Sequence, residues 1–306
     1  MKFGHRISAL LAVGLLACGG GTSTKGTGPG TGGSADGNNA GETTAPVAEE
    51  YRKSQPKPSA PRPFQLPPIQ TFKLGNAIDV YLVENHDLPT VSVSLVLDGG
   101  AMSDPKGKEG LASACMDMLT EGTKKLDKLA FQRALADIGS DVWSWASVDT
   151  QGLGMRTLSK NFDQTMKLFV DSLRTPGFRK SDLNRMVKRR IASIKQSKGN
   201  PSAVAGRVMW SVTYGATHPN GRVSTEKSLS RLRTSDCKRY HARYLKPTSA
   251  RMFVVGDLKE KQVREAFEPL LKKWRGKPAV SKMPTRQPRK GRLFFVDIPG
   301  SQQSAV

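Results

Sequence analysis

The segment from Gly110 to Thr123, which reads GLASACMDMLTEGT, constrains what this chain can fold into more than any other stretch. Its apolar residues recur at helical spacing and form one stripe, made of Leu111, Cys115, Met118 and Leu119. Ser113 and Asp117 are four residues apart, so they lie together on one face of the same helix. Taken alone, this pattern also fits an ordinary core helix with one polar side.

The frame of the segment resembles the metal-binding helix of peptidase family M16, the insulinase and mitochondrial-processing-peptidase family. In that family the helix reads G-L-A-H-x-x-E-H-M-L-x-x-G-T, its two histidines bind zinc, and its glutamate is the general base. This chain keeps the frame at Gly110, Leu111, Ala112, Met118, Leu119, Gly122 and Thr123. It departs at the chemical positions, because Ser113 and Asp117 replace the histidines and Met116 replaces the glutamate.

These departures remove the chemistry that the resemblance implies. A catalytic zinc ion needs about three protein ligands and an open position for water. The Ser113 hydroxyl is a poor zinc ligand at neutral pH, and Asp117 offers a single carboxylate. The Met116 thioether cannot accept a proton from water, so the general base is lost as well.

The third zinc ligand of the family is a glutamate on a later helix, and an arginine replaces it here. The local equivalent is the run from Val187 to Arg190, which places Arg190 at the ligand position, or Arg189 if the register differs by one. A guanidinium does not ligate zinc, and its charge repels a metal ion. We therefore expect no metal, no cofactor and no catalytic residue, and we hypothesise that Asp117 forms an ion pair with Arg190.

No other catalytic set is present in the sequence. The four histidines, His5, His86, His218 and His241, show no metal-ligand spacing, and no phosphate-binding or dinucleotide-binding glycine motif occurs. His218 precedes a proline in a loop and is interpreted as a loop residue, and His241 as part of a half-exposed helix. The family is a zinc endopeptidase family, but we expect this chain to be inactive alone.

The first residues are typical of a bacterial lipoprotein signal, assigned to residues 1–18. A basic start precedes a short apolar stretch, Ile7 to Leu16, which is too short to cross a bilayer as a stable helix. The run from Leu15 to Cys18 fits a lipobox, which predicts lipid attachment at Cys18. A plain secretory signal and an apolar N-terminal helix are the alternatives. Gly19, and not an aspartate, follows Cys18; in bacteria that sort lipoproteins, resemblance to this signal implies the periplasmic side of the outer membrane.

Composition divides the remainder of the chain. Residues 19–63 are rich in Gly, Ser, Thr and Pro and are predicted to be a disordered tether. Residues 64–276 resemble one complete M16 repeat, and residues 277–290 form a Pro/Lys/Arg linker. Residues 291–306 resemble the first strand of a second repeat, which suggests a truncated product or a fragment of a longer gene.

Hydrophobic periodicity predicts interleaved strands and helices. Thr90–Asp98 alternates between apolar and polar residues, as a strand with one buried face does. Leu126–Ile138 has helical spacing and ends before Gly139. Pattern alone predicts a mixture of α and β structure, and the resemblance implies an α+β fold with a curved mixed sheet packed by helices on one face. Trp143 and Trp145 share one strand face and are interpreted as core or interface residues.

Two further features leave alternatives open. Cys115 and Cys237 could pair in an oxidising periplasm, but both fall in predicted helices, so buried free thiols are predicted. The net charge of +22 permits attraction to anionic lipid, polysaccharide, nucleic acid or acidic peptides and does not choose among them. The densest basic run, which extends from Arg179 to Lys198, is interpreted as a solvated helix. No aromatic pattern of a nucleic-acid binder accompanies it, and no nucleic-acid partner is expected.

The sequence therefore favours a non-catalytic, lipid-anchored M16-like subunit. Such a subunit would associate with an active M16 peptidase and help form a chamber that binds peptides at the cell envelope. The alternative is an envelope binding or scaffold lipoprotein that has no protease partner.

Overall fold

The computed structural model describes residues 59, 63, 67–75, 77–279, 282–286, 291, 293–297 and 300. Within them the backbone forms one six-stranded sheet with the spatial order β1-β2-β6-β3-β5-β4. Its strands are β1 (Gln70–Lys73), β2 (Asp79–Glu84), β3 (Thr90–Asp98), β4 (Asp141–Ala146), β5 (Thr150–Leu158) and β6 (Ala250–Gly256). Strands β2 and β6 pair in parallel, and all other neighbours are antiparallel. The predicted α+β fold with a mixed sheet is confirmed.

Eight α-helices occur in the described part of the chain. They are α1 (Leu111–Asp117), α2 (Lys128–Ala136), α3 (Phe162–Arg174), α4 (Lys180–Ser197), α5 (Pro201–Tyr214), α6 (Glu226–Ser230), α7 (Thr234–Tyr244) and α8 (Glu260–Leu271). Several begin at polar caps that the sequence displays. The Asp127 carboxylate accepts the Ala130 N–H at α2, and the Asn200 side chain accepts the Ala203 N–H at α5.

The core lies between one face of the sheet and the helices. On β3 the alternate residues Val91, Val93, Leu95 and Leu97 are all fully buried, as the predicted alternation requires. Phe169 of α3 and Phe267 of α8 are also fully buried. Their rings pack edge to face, with 6.3 Å between the ring centroids. Burial of each such side chain contributes about 2 kcal/mol. The core therefore holds the strands and helices in a fixed relation around α1.

The opposite face of the sheet is partly exposed, and several apolar side chains lie on it among polar ones. Phe253 and Val255 on β6 retain 41% and 46% of their accessible surface. Trp143 on β4 lies flat over Gly154 of β5, where an added Cβ would come within 2.3 Å of the indole. Trp145 covers Gly152 in the same way. The two tryptophans thus lie on the open face of the sheet and not in the core.

Several predicted segments fall partly or wholly outside the described residues. The lipoprotein signal with Cys18 and nearly all of the tether are among them. No described helix combines the length and the apolar character needed to cross a membrane. The strand predicted at the start of a second repeat is absent from the described residues 293–297, where Leu293 and Phe295 are 97% and 86% exposed. A strand needs hydrogen bonds to a neighbour, and none of the described strands pairs with this segment.

Candidate functional site

Helix α1 carries the candidate site, and Asp104 fixes where it begins. The Asp104 carboxylate accepts the backbone N–H groups of Gly110 and Ala112, each at 2.7 Å. Gly110 has a φ of 96°, a conformation that glycine adopts without strain. Burial raises the pKa of Asp104 to about 6, although the backbone hydrogen bonds from Ala112, Gly110 and Leu111 oppose this. Asp104 is not predictable from the sequence, because nothing in the local pattern indicates that this loop carboxylate caps a helix six residues later.

Only two residues of α1 are more than slightly exposed, and they are Ser113 and Asp117. The remaining side chains of the helix face the core. Met116 has no accessible surface at all. A thioether therefore occupies the general-base position of the family and packs there as an ordinary core side chain. Compared with the family pattern, the metal ligands are replaced and the general-base position has become part of the core.

Arg190 of α4 reaches the two polar positions of α1. Its Nη2 donates to Ser113 Oγ at 2.9 Å and to Asp117 Oδ2 at 2.5 Å. The side chains of Arg190 and Asp117 are 25% and 42% exposed. The hypothesis of an Asp117–Arg190 ion pair is confirmed. The neighbouring Arg189 points instead towards Glu121, at 3.9 Å, so Arg190 is the residue at the site.

The side chains gathered here do not fit a zinc ion. A hydroxyl, a guanidinium and one carboxylate provide a single good zinc ligand, and that carboxylate is already paired with Arg190. No group of three or more His, Cys, Asp or Glu side chains in the described residues has metal-binding geometry. The arrangement can hold two helices together and can present a polar surface. At the general-base position of the family, Met116 cannot accept a proton from water.

The basic helix α4 is only partly solvated, which corrects the interpretation made from the sequence. Besides Arg190, its Arg185 contacts Glu121 at 2.6 Å and Asp182 at 2.9 Å. Glu121 is 8% exposed and also contacts Lys128. Part of the positive charge on this helix therefore anchors it to the loop that follows α1. Asp182 lies on α4 itself, but Glu121 comes from a distant segment that the sequence pattern does not connect with this helix.

Cys115 and Cys237 form a disulfide, so the prediction of two free buried thiols was wrong. Their Cα atoms lie 4.9 Å apart, because α1 packs directly against α7. Both cysteines are buried and helical, as predicted. Helical position and burial do not exclude pairing when two helices face each other, and a single sequence does not show which helices are neighbours.

The described histidines have structural partners. His218 is buried, its Nε2 lies 2.9 Å from the Pro284 carbonyl, and its Nδ1 accepts the Asn220 N–H. This pattern requires the proton on Nε2, as in a neutral imidazole. His241 donates to the Leu173 carbonyl, and burial lowers its pKa. Neither ring is free to act as a base towards α1.

Comparisons with known proteins agree with this geometry. Residues 79–223 match the family model described as insulinase, peptidase family M16. The chain is similar to Non-peptidase homolog YmxG of Helicobacter pylori, with 23% identity over 60% of this chain and 42% of that relative. It is also similar to mitochondrial-processing peptidase subunit alpha of Solanum tuberosum, with 23% identity over 76% of this chain and 46% of the relative. The chain thus spans less than half the length of these relatives.

A solved structure shows the same fold. It is the peptidase M16 inactive domain from Pseudomonas fluorescens, with a TM-score of 0.67, 24% identity, and coverage of 72% of this chain and 54% of the other. The frame of α1 is that of the family, while Arg190, Asp117 and Ser113 replace its metal site. The matched region, residues 79–223, is therefore a degenerate domain of the insulinase (M16 peptidase) family, whose metal-binding positions are replaced.

Proposed function

We propose that this chain is the non-catalytic subunit of a two-part M16 peptidase at the cell envelope. In this role it associates with a chain that carries the zinc site and helps to form the chamber that binds peptides. The observation that carries the proposal is the hydrogen bonding of Arg190 to Ser113 and Asp117 within an otherwise preserved fold. The fold is retained while the metal-binding residues are replaced. This is expected of a subunit that contributes a binding surface and performs no catalysis.

Exposed apolar surface supports association with a partner. Helix α5 is strongly apolar, yet none of its residues is buried. Met209 and Trp210 retain 53% and 49% of their accessible surface. The open sheet face adds Phe253 and Val255. Clusters of large exposed apolar side chains are typical of protein–protein contact surfaces.

Two features support the envelope as the location. The first is the predicted lipobox, which would attach a lipid at Cys18 and so hold the chain at a membrane. The Cys115–Cys237 disulfide is characteristic of oxidising compartments such as the bacterial periplasm and is rare in the cytosol. The names of the relatives, one a non-peptidase homologue and one a subunit, agree with the division into catalytic and non-catalytic chains.

Co-purification with an active M16 chain is the direct test. An adjacent gene that encodes an M16 protein with intact H-x-x-E-H would be co-expressed with this chain. We expect a stable complex whose peptidase activity exceeds that of the catalytic chain alone. Stoichiometric zinc together with chelator-sensitive cleavage by this chain alone would overturn the proposal.

Helix α5 provides a sharper version of this experiment. Trp210→Asp places a charge in the exposed apolar surface and is expected to weaken the complex at least tenfold. Ser202→Asp introduces the same charge on the same helix, at an exposed polar position, and is the matched control. Equal effects of the two variants would show that α5 does not contact the partner.

The alternative is an envelope scaffold without a protease partner. Exposed lysines on α4, such as Lys188 and Lys195, would then contact anionic lipid or polysaccharide. Absence of any M16 gene near this one, together with binding to anionic vesicles that lack protein, would favour the scaffold over the subunit.

A further inference from the structure

A cavity of about 470 Å³ lies between α1, α7 and the loop that precedes α1, on the side of α1 that faces away from Arg190. Its volume is within the range of small-molecule sites, about 300–1,000 Å³. One face of α7 forms most of the wall, because Asp236, Arg239, Tyr240 and Arg243 recur at helical spacing. Neither the family relationship nor the proposed subunit role assigns a ligand to this cavity.

The inner part of the cavity is apolar. Leu111 and Tyr240 are 5% and 2% exposed, and Tyr244 packs beside Tyr240 with a ring separation of 4.8 Å. The Tyr240 hydroxyl is already used, because it donates to Gln151 Oε1 at 2.7 Å. The rings and the leucine therefore present carbon to a ligand and offer no free polar group there.

The rim of the cavity is cationic. Lys108, Arg239 and Arg243 line it, and Asp236 is the only carboxylate among the lining residues, which leaves a surplus of two positive charges. Asp236 is committed, since its Oδ1 contacts Lys108 at 2.6 Å and Arg239 at 2.5 Å, and its Oδ2 accepts the Arg233 N–H. It does not neutralise Arg243.

Arg243 is the cation best placed for a ligand. No carboxylate in the described part of the chain lies within ion-pair distance of its guanidinium. The guanidinium carbon lies 5.6 Å from the centroid of the Tyr244 ring. A planar cation beside an aromatic ring can bind an anionic group with paired hydrogen bonds while the ring contacts the adjoining carbon chain.

The disulfide holds the cavity open in advance. Cys115 lies one turn after Leu111 on α1, and Cys237 lies one turn before Tyr240 on α7. The covalent link therefore fixes the distance between the two walls. A site that is formed before the ligand arrives loses less conformational entropy on binding.

We propose that this cavity binds a small amphiphilic organic anion, a carboxylate or phosphate monoester on an apolar chain or ring. The anionic group meets Arg243 at the rim, and the apolar part lies against Leu111, Tyr240 and Tyr244. Charge alone does not define the ligand, because a bare inorganic anion leaves the apolar wall uncovered. Apolar character alone does not define it either, because a neutral chain leaves Arg243 without its counter-charge.

Isothermal titration of the full chain with decanoate, decanol and acetate tests both requirements. Decanoate is expected to bind with a stoichiometry of one, and decanol and acetate at least tenfold more weakly. Decyl phosphate should bind comparably to decanoate. Equal affinity for decanoate and acetate would overturn the proposal by showing that only surface charge is sensed.

Variants locate the binding. Arg243→Gln is expected to weaken decanoate roughly tenfold or more while leaving decanol unchanged, since a charge-assisted hydrogen bond is lost. Arg243→Lys should retain most of the affinity. Arg133→Gln removes an equal charge from exposed α2 and is the matched control. Equal weakening by Arg133→Gln and Arg243→Gln would refute a local site.

A filling variant tests the cavity independently of charge. Ala242 lies at the cavity on the exposed side of α7, so Ala242→Phe can place a ring in the space without disturbing the core. Loss of both decanoate and decanol binding is expected, with an unchanged unfolding midpoint. Undiminished binding in this variant would place the ligand elsewhere.

Vesicles of anionic phospholipid that bind the wild type and Arg243→Gln equally would mark membrane attraction as a separate property.

Discussion

Helix α1 has two faces that differ in what they have kept. The face towards α4 carries Ser113 and Asp117, which are partly exposed and bonded to Arg190. The face towards α7 carries Leu111 and Cys115, which are buried and tied to α7 by a disulfide. The first face has exchanged metal chemistry for a modest ion pair. The second holds the helix in place through packing and a covalent bond.

The position of α1 in the fold and the chemistry at its former ligand positions depend on different residues. Packing against α7, the cap from Asp104 and the burial of Met116 determine where α1 lies. None of these depends on the residues at the former ligand positions. A family frame can therefore persist after its catalytic set has been replaced, because different side chains of one helix carry the two roles.

Removal of the disulfide is expected to have the largest effect on stability. The bond joins residues 122 positions apart, and closing so long a loop restricts the unfolded chain. Replacement of both Cys115 and Cys237 by alanine should lower the free energy of unfolding by about 4–5 kcal/mol. Guanidinium unfolding with and without reductant measures this, and reductant should not affect the double variant. Peptide mapping that finds both thiols free in the native protein would contradict the structure.

Met116→Glu tests whether the general-base position is now core. A carboxyl group held without solvent stays protonated at pH 7, and this should lower the free energy of unfolding by about 4 kcal/mol. Its folded-state pKa is raised, so the loss should shrink as the pH falls towards 4. Met116→Leu conserves volume and should cost less than about 1.5 kcal/mol. Similar losses for the two variants would mean that the position is solvated.

Asp104 predicts a pH dependence at the start of α1. Burial raises its folded-state pKa to about 6 from an ordinary 3.8. The protonated Asp104 therefore contributes fully to the free energy of unfolding below about pH 4. This contribution falls as the pH rises through 6, by up to about 3 kcal/mol. Asp104→Asn should remove this slope, which urea unfolding at pH 4 and pH 7 would measure. Exposed Asp137→Asn is the control, and a slope that persists unchanged in Asp104→Asn would assign it to another group.

The Arg190–Asp117 pair should contribute least. Both side chains are partly exposed, so solvent screens their attraction. A double-mutant cycle with Arg190→Ala and Asp117→Ala should give a coupling of about 0.5–1 kcal/mol, smaller at high salt. Coupling above about 3 kcal/mol would show that this face contributes as much to stability as the α7 face, and the contrast between the faces would fail.

Local pattern predicted those parts of the fold that depend on local sequence. The alternation in β3 gave its buried face correctly, and the spacing of residues in α1 gave its apolar stripe. The Asp117–Arg190 pair was accessible because the family frame aligned two distant helices. No such frame relates the other charges of α4 to their partners. The contact of Arg185 with Glu121 is therefore not predictable from the sequence.

Features that depend on which elements become neighbours were not predictable in this way. The disulfide requires α1 to face α7, and the cavity requires the same contact together with the loop near Lys108. The parallel pairing of β2 with β6 joins segments at opposite ends of the folded region. Pairings of this kind follow from long-range packing, which single-sequence periodicity does not encode.

The Cys115–Cys237 bond also determines how the protein would respond to proteolysis. It closes the chain into a covalent ring. The ring contains helices α2 to α6, strand β4, which carries the two tryptophans, and the neighbouring strand β5. A single cut anywhere between the two cysteines opens the ring without releasing a fragment. Four described strands, β1, β2, β3 and β6, lie outside the ring, and of these β2 and β6 are joined by a parallel ladder of hydrogen bonds. The folded region would therefore stay in one piece after a single cleavage within the ring.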